Sequence, residues 1–145
     1  MRVSAKLGTG AGFPGIPLKI ARPDLSLTLV DSKRKKINFV RYAIRRLGLE
    51  NIRAVQSRAE DLAEETYRFD VAISKAVGSV RQLYRLAVPL LKEGGVLIAM
   101  KGQGYRSELD DENLADLLNT ENVEMEIKTY RLPNLNVERK LLILK

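Results

Sequence analysis

A chain of 145 residues carries 25 basic against 18 acidic side chains, for a net charge of +7, with 45% apolar residues and neither cysteine nor histidine. The length fits one domain with a self-supporting core. No apolar run approaches the ~20 residues of a membrane-spanning helix, and nothing in the opening residues suggests a secretory leader. Disulfides, thiolate or imidazole metal ligation, and cysteine or histidine catalysis are excluded, while the basic balance favours a polyanionic partner.

Residues 2–7, RVSAKL, lack the apolar run that a central parallel strand needs and are expected to be frayed or displaced from the sheet. Four glycines follow within eight residues, Gly8, Gly10, Gly12 and Gly15. Such a cluster turns the chain through positive φ or admits a ligand to the backbone. Residues 26–31, SLTLVD, are β-prone. Ile37, Val40, Ile44 and Leu47 have helical spacing and predict a helix over 33–47, ended by Gly48. Residues 51–56 read as a strand, 59–65 as a short helix and 69–74 as a strand. A helix over 79–92 is disturbed in its last turn by Pro89. After the Gly94-Gly95 turn, 96–100 is a buried strand, 106–119 a polar helix, and 123–130 and 138–144 two closing strands about Pro133-Asn134. Strands alternating with helices imply an α/β fold with a mostly parallel, doubly wound sheet.

Ligands of such sheets bind at the carboxyl ends of the strands, near the switch point. The glycine stretch belongs at the first strand–helix turn, and Asp31 ends the next strand, 19 residues after Gly12. A glycine-rich turn with an acid at that distance suits a nucleoside-bearing cofactor, the carboxylate taking the ribose hydroxyls. Gly10 to Gly15 also satisfies G-x-G-x-x-G, a weak signal alone. A dinucleotide would set its pyrophosphate on the helix N-terminus, where Pro14 and Pro17 remove amide donors. That counts for S-adenosylmethionine, which carries no phosphate, although Asp31 suits either ribose.

The 33–47 helix points to the substrate. Lys33, Arg34, Lys35, Lys36, Arg41, Arg45 and Arg46 put seven cations into fourteen residues with no acid between Asp31 and Glu50. Like charges at i,i+4 destabilise a helix, so a phosphate backbone accounts for them better than plain solvation does. Phe39 and Tyr42 are the only interleaved aromatics, which does not indicate base stacking on this helix.

The runs GTGAGFPGIPL, TLVDSKRKKINFVR, LENIRAVQSRAEDL, FDVAISKAV, AMKG at 99–102 and VERKLLILK together resemble the bacterial 16S ribosomal RNA guanine-N7 methyltransferases, the glucose-inhibited division protein B family. The resemblance runs from about Gly8 to the end of the chain. It implies a class I methyltransferase with a seven-stranded sheet, S-adenosylmethionine as cofactor and small-subunit ribosomal RNA as substrate. It places Gly8, Gly10, Gly12 and Phe13 around the methionine end of the cofactor, Asp31 on the ribose, Ala59 and Glu60 beside the adenine, and Lys75 on cofactor or substrate. Lys101 and Arg139 match basic positions near the active site and join the helix cations as RNA-binding candidates. No metal ligand and no catalytic acid or base is implied. Such a protein is expected to be a cytoplasmic monomer that keeps off the membrane.

Four departures stand out. Lys6 replaces an acidic residue, Lys75 an arginine that lysine does not mimic at a bidentate site, and Lys140 a histidine. The family's N-terminal helical segment has no counterpart, so the chain reads as a catalytic core without its cap. A cofactor-binding or RNA-binding remnant is therefore one alternative. A nicotinamide-dependent oxidoreductase is another, although no catalytic His, Cys or Ser-x-x-x-Tyr-Lys pattern supports it.

Overall fold

The computed structural model of the chain describes residues 3–64, 68–75 and 78–145. In chain order the elements are β1 (Val3–Leu7), α1 (Gly15–Ala21), β2 (Ser26–Asp31), α2 (Arg34–Arg46), β3 (Ile52–Gln56), α3 (Ala59–Glu64), β4 (Phe69–Lys75), α4 (Val80–Ala87), β5 (Leu91–Lys101), α5 (Tyr105–Leu109), α6 (Glu112–Thr120), β6 (Met125–Leu132) and β7 (Val137–Leu144). The strands form one seven-stranded sheet in the order β3-β2-β1-β4-β5-β7-β6. β1 to β5 run parallel, while β7 is antiparallel to both β5 and β6.

β1 is neither frayed nor displaced, contrary to the sequence expectation. It lies at the sheet centre, pairing Val3 to Leu7 with Ser26 to Val30 on one side and Ser4 to Leu7 with Val71 to Ser74 on the other. A long apolar run is unnecessary because the two faces are served differently. Ala5 and Leu7 enter the larger core. Ser4 and Lys6 are buried on the opposite face, where the Lys6 ammonium donates to the carbonyls of Leu7 at 2.6 Å and Gly8 at 3.1 Å.

Other boundaries move for local reasons. A reciprocal cap between Ser79 and Gln82 starts α4, which ends at Ala87. Val88–Leu90 form a 3₁₀ turn around Pro89, and β5 begins at Leu91 rather than at residue 96. The 106–119 helix is divided into α5 and α6, because the Asp111 carboxylate accepts the Asn113 N–H and starts a new helix. The expected 59–65 helix is α3, with residue 65 outside the described residues.

Two cores flank the sheet. Leu62, Val80, Leu83, Ala87 and Leu114 from α3, α4 and α6 pack on Ala5, Leu7, Ala72, Leu97, Ala99 and Leu142. On the other side Ile16 of α1 and Ile37 and Val40 of α2 cover Leu27, Leu29 and Ala54. β1 leads to α1 on one side and β4 to α4 on the other, which makes the carboxyl ends of β1 and β4 the switch point.

Candidate functional site

At that switch point the glycine loop turns through the left-handed region. Gly8, Gly10 and Gly12 have φ of 60°, 59° and 94°, a conformation that costs an L side chain strain. A Cβ on Gly12 would also come within 2.5 Å of the Ile16 side chain, whereas one on Gly10 would meet nothing within 4 Å. Gly10 therefore faces open space. The loop is tied to β2 by the Thr9 N–H on the Val30 carbonyl at 2.9 Å.

Asp31 organises the turn. Its carboxylate is buried and accepts the Gly10 N–H on Oδ2 and the Lys33 N–H on Oδ1, both at 2.9 Å. A carboxylate offers about four lone-pair sites, so two stay available to hydroxyls. The carboxylate opens on a cleft of about 380 Å³ that is also lined by Gly8, Ser57, Arg58, Ala59, Glu60 and Leu83. Gly8, Asp31, Ala59 and Glu60 are thus brought together as expected, with Gly10 holding the carboxylate from behind.

Phe13 and Lys75 lie elsewhere. Both line a second cleft of about 490 Å³, with Pro14, Met100, Gly102, Tyr130, Leu132 and Arg139. Phe13 is 58% exposed, so it is no core residue of α1. The two clefts lie at the carboxyl edge of the sheet, one bordered by Gly8 and the other by Phe13 and Pro14 of the same loop.

Lys101, expected as an RNA contact, also borders the second cleft. Its side chain is buried and its ammonium is spent internally, on the Glu108 carboxylate and the Gly78 carbonyl, both at 2.8 Å. The same Glu108 oxygen accepts the Val80 N–H at 3.0 Å, so Lys101 clamps β5 to α5 and to the start of α4. Arg139 does reach the second cleft. Lys140 sits over the Tyr105 ring at 5.5 Å and donates to Thr129 Oγ1 at 2.6 Å.

The cations of α2 are exposed as expected, with two exceptions to their independence. Lys36 lies 3.9 Å from the Asp31 carboxylate, and Arg41 Nε donates to the Ala54 carbonyl at 3.2 Å. Lys33, Arg34, Lys35 and Arg45 point outward with Phe39 and Tyr42. Leu47 is 52% exposed and does not join the stripe of Ile37 and Val40.

Lys6 carries the strongest perturbation at the site. Burial pulls its pKa from 10.5 down to about 8, opposed by the nearby Asp31 carboxylate and reinforced by the Lys75 charge. Its ammonium occupies the carbonyls at the exit of β1. The dinucleotide alternative finds little support here. α1 has seven residues and opens after Pro14, Pro17 has no N–H, and the Ile16 N–H is spent on the Gly12 carbonyl at 2.7 Å.

Sequence reasoning missed Tyr130, Met100 and Leu132 of the second cleft and Ser57 and Arg58 of the first. No spacing signal links the β6–β7 hairpin to the glycine loop, because only the sheet order brings them together.

The strand order, the antiparallel β7 and the glycine turn with its acid define the class I methyltransferase fold. Solved structures agree: precorrin-6y C5,15-methyltransferase from Geobacter metallireducens superposes with a TM-score of 0.73 at 13% identity, over 99% of this chain and 79% of that one. An rRNA methylase from Streptococcus thermophilus gives 0.64 at 16% identity, over 99% and 86%. Residues 2–138 match the family model for GidB, rRNA small subunit methyltransferase G, and the chain belongs to that family. It is 43% identical over 143 residues to ribosomal RNA small subunit methyltransferase G of Lachnoclostridium phytofermentans, covering 96% of this chain and 58% of that protein. The corresponding protein of Desulforamulus reducens is 38% identical, at 96% and 59% coverage. The chain thus spans less than two thirds of the length of these relatives.

Proposed function

We propose that this domain is the core of an S-adenosylmethionine-dependent methyltransferase acting on N7 of a guanine in 16S ribosomal RNA. The observation that carries this reading is the glycine loop folded onto a buried carboxylate at the switch point, in a chain of this family. Gly8 and Asp31 would hold the cofactor's amino-acid end and ribose, and Ala59 and Glu60 would flank its adenine. The residues present fit the ribose end, where Asp31 keeps acceptor capacity. They fit the amino-acid end less well, since Lys6 already uses the carbonyls of Leu7 and Gly8.

Bound there, the cofactor supplies an electrophilic methyl group on a sulfonium. The N7 lone pair of guanine is already nucleophilic, so the protein's task is alignment rather than proton transfer. A chain without histidine and cysteine can perform that task. The second cleft is the place for the base: Phe13 and Tyr130 offer aromatic surface, and Lys75 and Arg139 offer cations to the flanking phosphates. Lys33, Arg34, Lys35 and Arg45 on α2 would grip the RNA backbone further out. The enzyme acts as a monomer in the cytoplasm.

Transfer of a labelled methyl group from the cofactor to small-subunit RNA, followed by mapping of the modified nucleotide, tests the reading. Label at guanine N7 that disappears in Asp31→Ala is the expected result. Label on another base, or none with cofactor demonstrably bound, overturns it.

A further inference from the structure

The β6–β7 hairpin presents two different faces. Successive strand residues point to opposite sides, so Tyr130, Leu132 and Arg139 border the second cleft while Arg131, Glu138 and Lys140 face away from it. Beside α5 these three line a third cleft of about 390 Å³, together with Gly102, Tyr105 and Arg106. Its charge is one-sided, with three cations against the Glu138 carboxylate. Lys140 is fixed in place. Its side chain is 17% exposed, its ammonium donates to Thr129 Oγ1 at 2.6 Å, and the Glu138 carboxylate and the Tyr105 ring flank it at 3.8 Å and 5.5 Å. An ammonium has three N–H donors, so donor capacity is left over. Arg131 is held by Glu138 at 3.2 Å. Arg106 is exposed, and its side chain has no hydrogen bond or ion pair among the described residues. The second and third clefts meet at Gly102, which lines both. A Cβ on Gly102 would meet nothing within 4 Å, so the rim between them is open at that point.

We propose that, with the second cleft read as the place for the target base, this third cleft seats the nucleotide joined to it, its phosphate held by Arg106, Arg131 and Lys140. Cations converging on one concavity match a phosphodiester, and the guanidinium planes of Arg106 and Arg131 offer stacking surface to an unpaired base. A base entering the second cleft has to leave its own stack. The backbone then crosses the open rim at Gly102, and the next phosphate arrives on the other side of the hairpin. Phosphate contacts fix register rather than sequence, so this seat decides which base reaches the second cleft. The cations of α2 cannot do this, because they lie toward β2 and β3, at the opposite edge of the sheet from the β6–β7 hairpin.

The test measures binding of a short single-stranded RNA with one guanosine to the full chain, by fluorescence anisotropy over a salt series. Arg106→Gln with Arg131→Gln, both exposed positions, should weaken binding at least tenfold and flatten the slope of log K against log salt by roughly two units. Lys92→Gln with Lys145→Gln removes the same charge at the far ends of β5 and β7 and should change binding less than twofold. Lys75→Gln with Arg139→Gln, in the second cleft, should weaken it as the first pair does. Guanosine monophosphate, a free source of the same phosphate, should bind at least tenfold more weakly than the RNA. Loss with the Lys75 and Arg139 pair but not with Arg106 and Arg131 overturns the seat and leaves the second cleft as the base site. Indifference to both pairs overturns the seat and that reading of the second cleft together. Loss with Arg106 and Arg131 but not with Lys75 and Arg139 also overturns the proposal, since the seat would then stand apart from the base site. An equal loss with Lys92 and Lys145 would reduce the effect to general charge, and equal affinity for the mononucleotide would make this a free-nucleotide site; either result overturns the proposal.

Discussion

Lys6 and Asp31 sit on neighbouring central strands and decide what the glycine loop can hold. A lysine buried with a pKa near 8 binds fewer protons folded than unfolded between pH 8 and its ordinary 10.5. Stability therefore rises with pH across that window; below pH 8 both states are protonated and the penalty is fully present, above 10.5 it is gone. Set against Lys6→Met, the wild-type chain should gain up to about 3 kcal/mol of relative stability across the window. Urea unfolding of both proteins at several pH values measures this, and parallel pH profiles would show that Lys6 is not the titrating group. Asp31 acts in the opposite sense, as an acceptor that must stay. Asp31→Ala strips the Gly10 and Lys33 amides of their partner and should weaken cofactor binding by about 1.5–3 kcal/mol, the range for hydrogen bonds to a charged group. Asp31→Asn keeps one acceptor oxygen and should fall between; calorimetry that ranks Asn no better than Ala would contradict this account.

Among the elements, α2 offers the most direct test of the proposed RNA contact. Thirteen residues from Arg34 to Arg46 present cations outward, but Arg41 is bound to β3 and Lys36 leans toward Asp31. Replacing Arg34, Lys35 and Arg45 with Gln should flatten the slope of log K against log salt for RNA binding by roughly two to three units. Arg41→Gln alone should change it by less than one, because its guanidinium is partly committed to the Ala54 carbonyl. An unchanged slope in the triple variant would make these cations a solvated surface. The same helix shows how far sequence carries. Its spacing foretold Ile37 and Val40 as the buried stripe and Gly48, with φ of 59°, as the stop. It could not show that Leu47 lies beyond the reach of the sheet. β1 was misread because RVSAKL was judged as a strand apolar on both faces, whereas Lys6 satisfies its own charge on the chain's carbonyls. The pairing of Lys101 with Glu108 was not legible, because the two residues lie in different elements. The glycine turn and Asp31 were legible because both ends of that interaction obey one spacing, and the second cleft was not, because the β6–β7 hairpin reaches it through tertiary order alone.

At the scale of the whole molecule, ligand binding and stability are linked, since the first cleft, the proposed cofactor site, is assembled from β1, β2 and the segment leading into α3 and exists only in the folded chain. A ligand that binds the native state alone stabilises it by RT ln(1 + [L]/Kd), about 2.7 kcal/mol at a hundredfold excess over Kd. For a domain of this size that is a rise in melting temperature on the order of 5–10 °C. S-adenosylhomocysteine, which lacks the sulfonium charge that the Lys6 ammonium would oppose, should give the larger shift at equal concentration. S-adenosylmethionine should give a smaller one and should approach it in Lys6→Met, where the opposing charge is gone. NAD should give none, because Pro14, Pro17 and the bonded Ile16 amide leave too few donors for a pyrophosphate at the start of α1. Thermal unfolding of the two proteins with each of the three ligands decides all of this at once. A shift with NAD exceeding the other two would replace the methyltransferase reading of the cleft with a dinucleotide one, and equal shifts for the two adenosyl ligands in the wild-type chain would free Lys6 of any part in choosing between them.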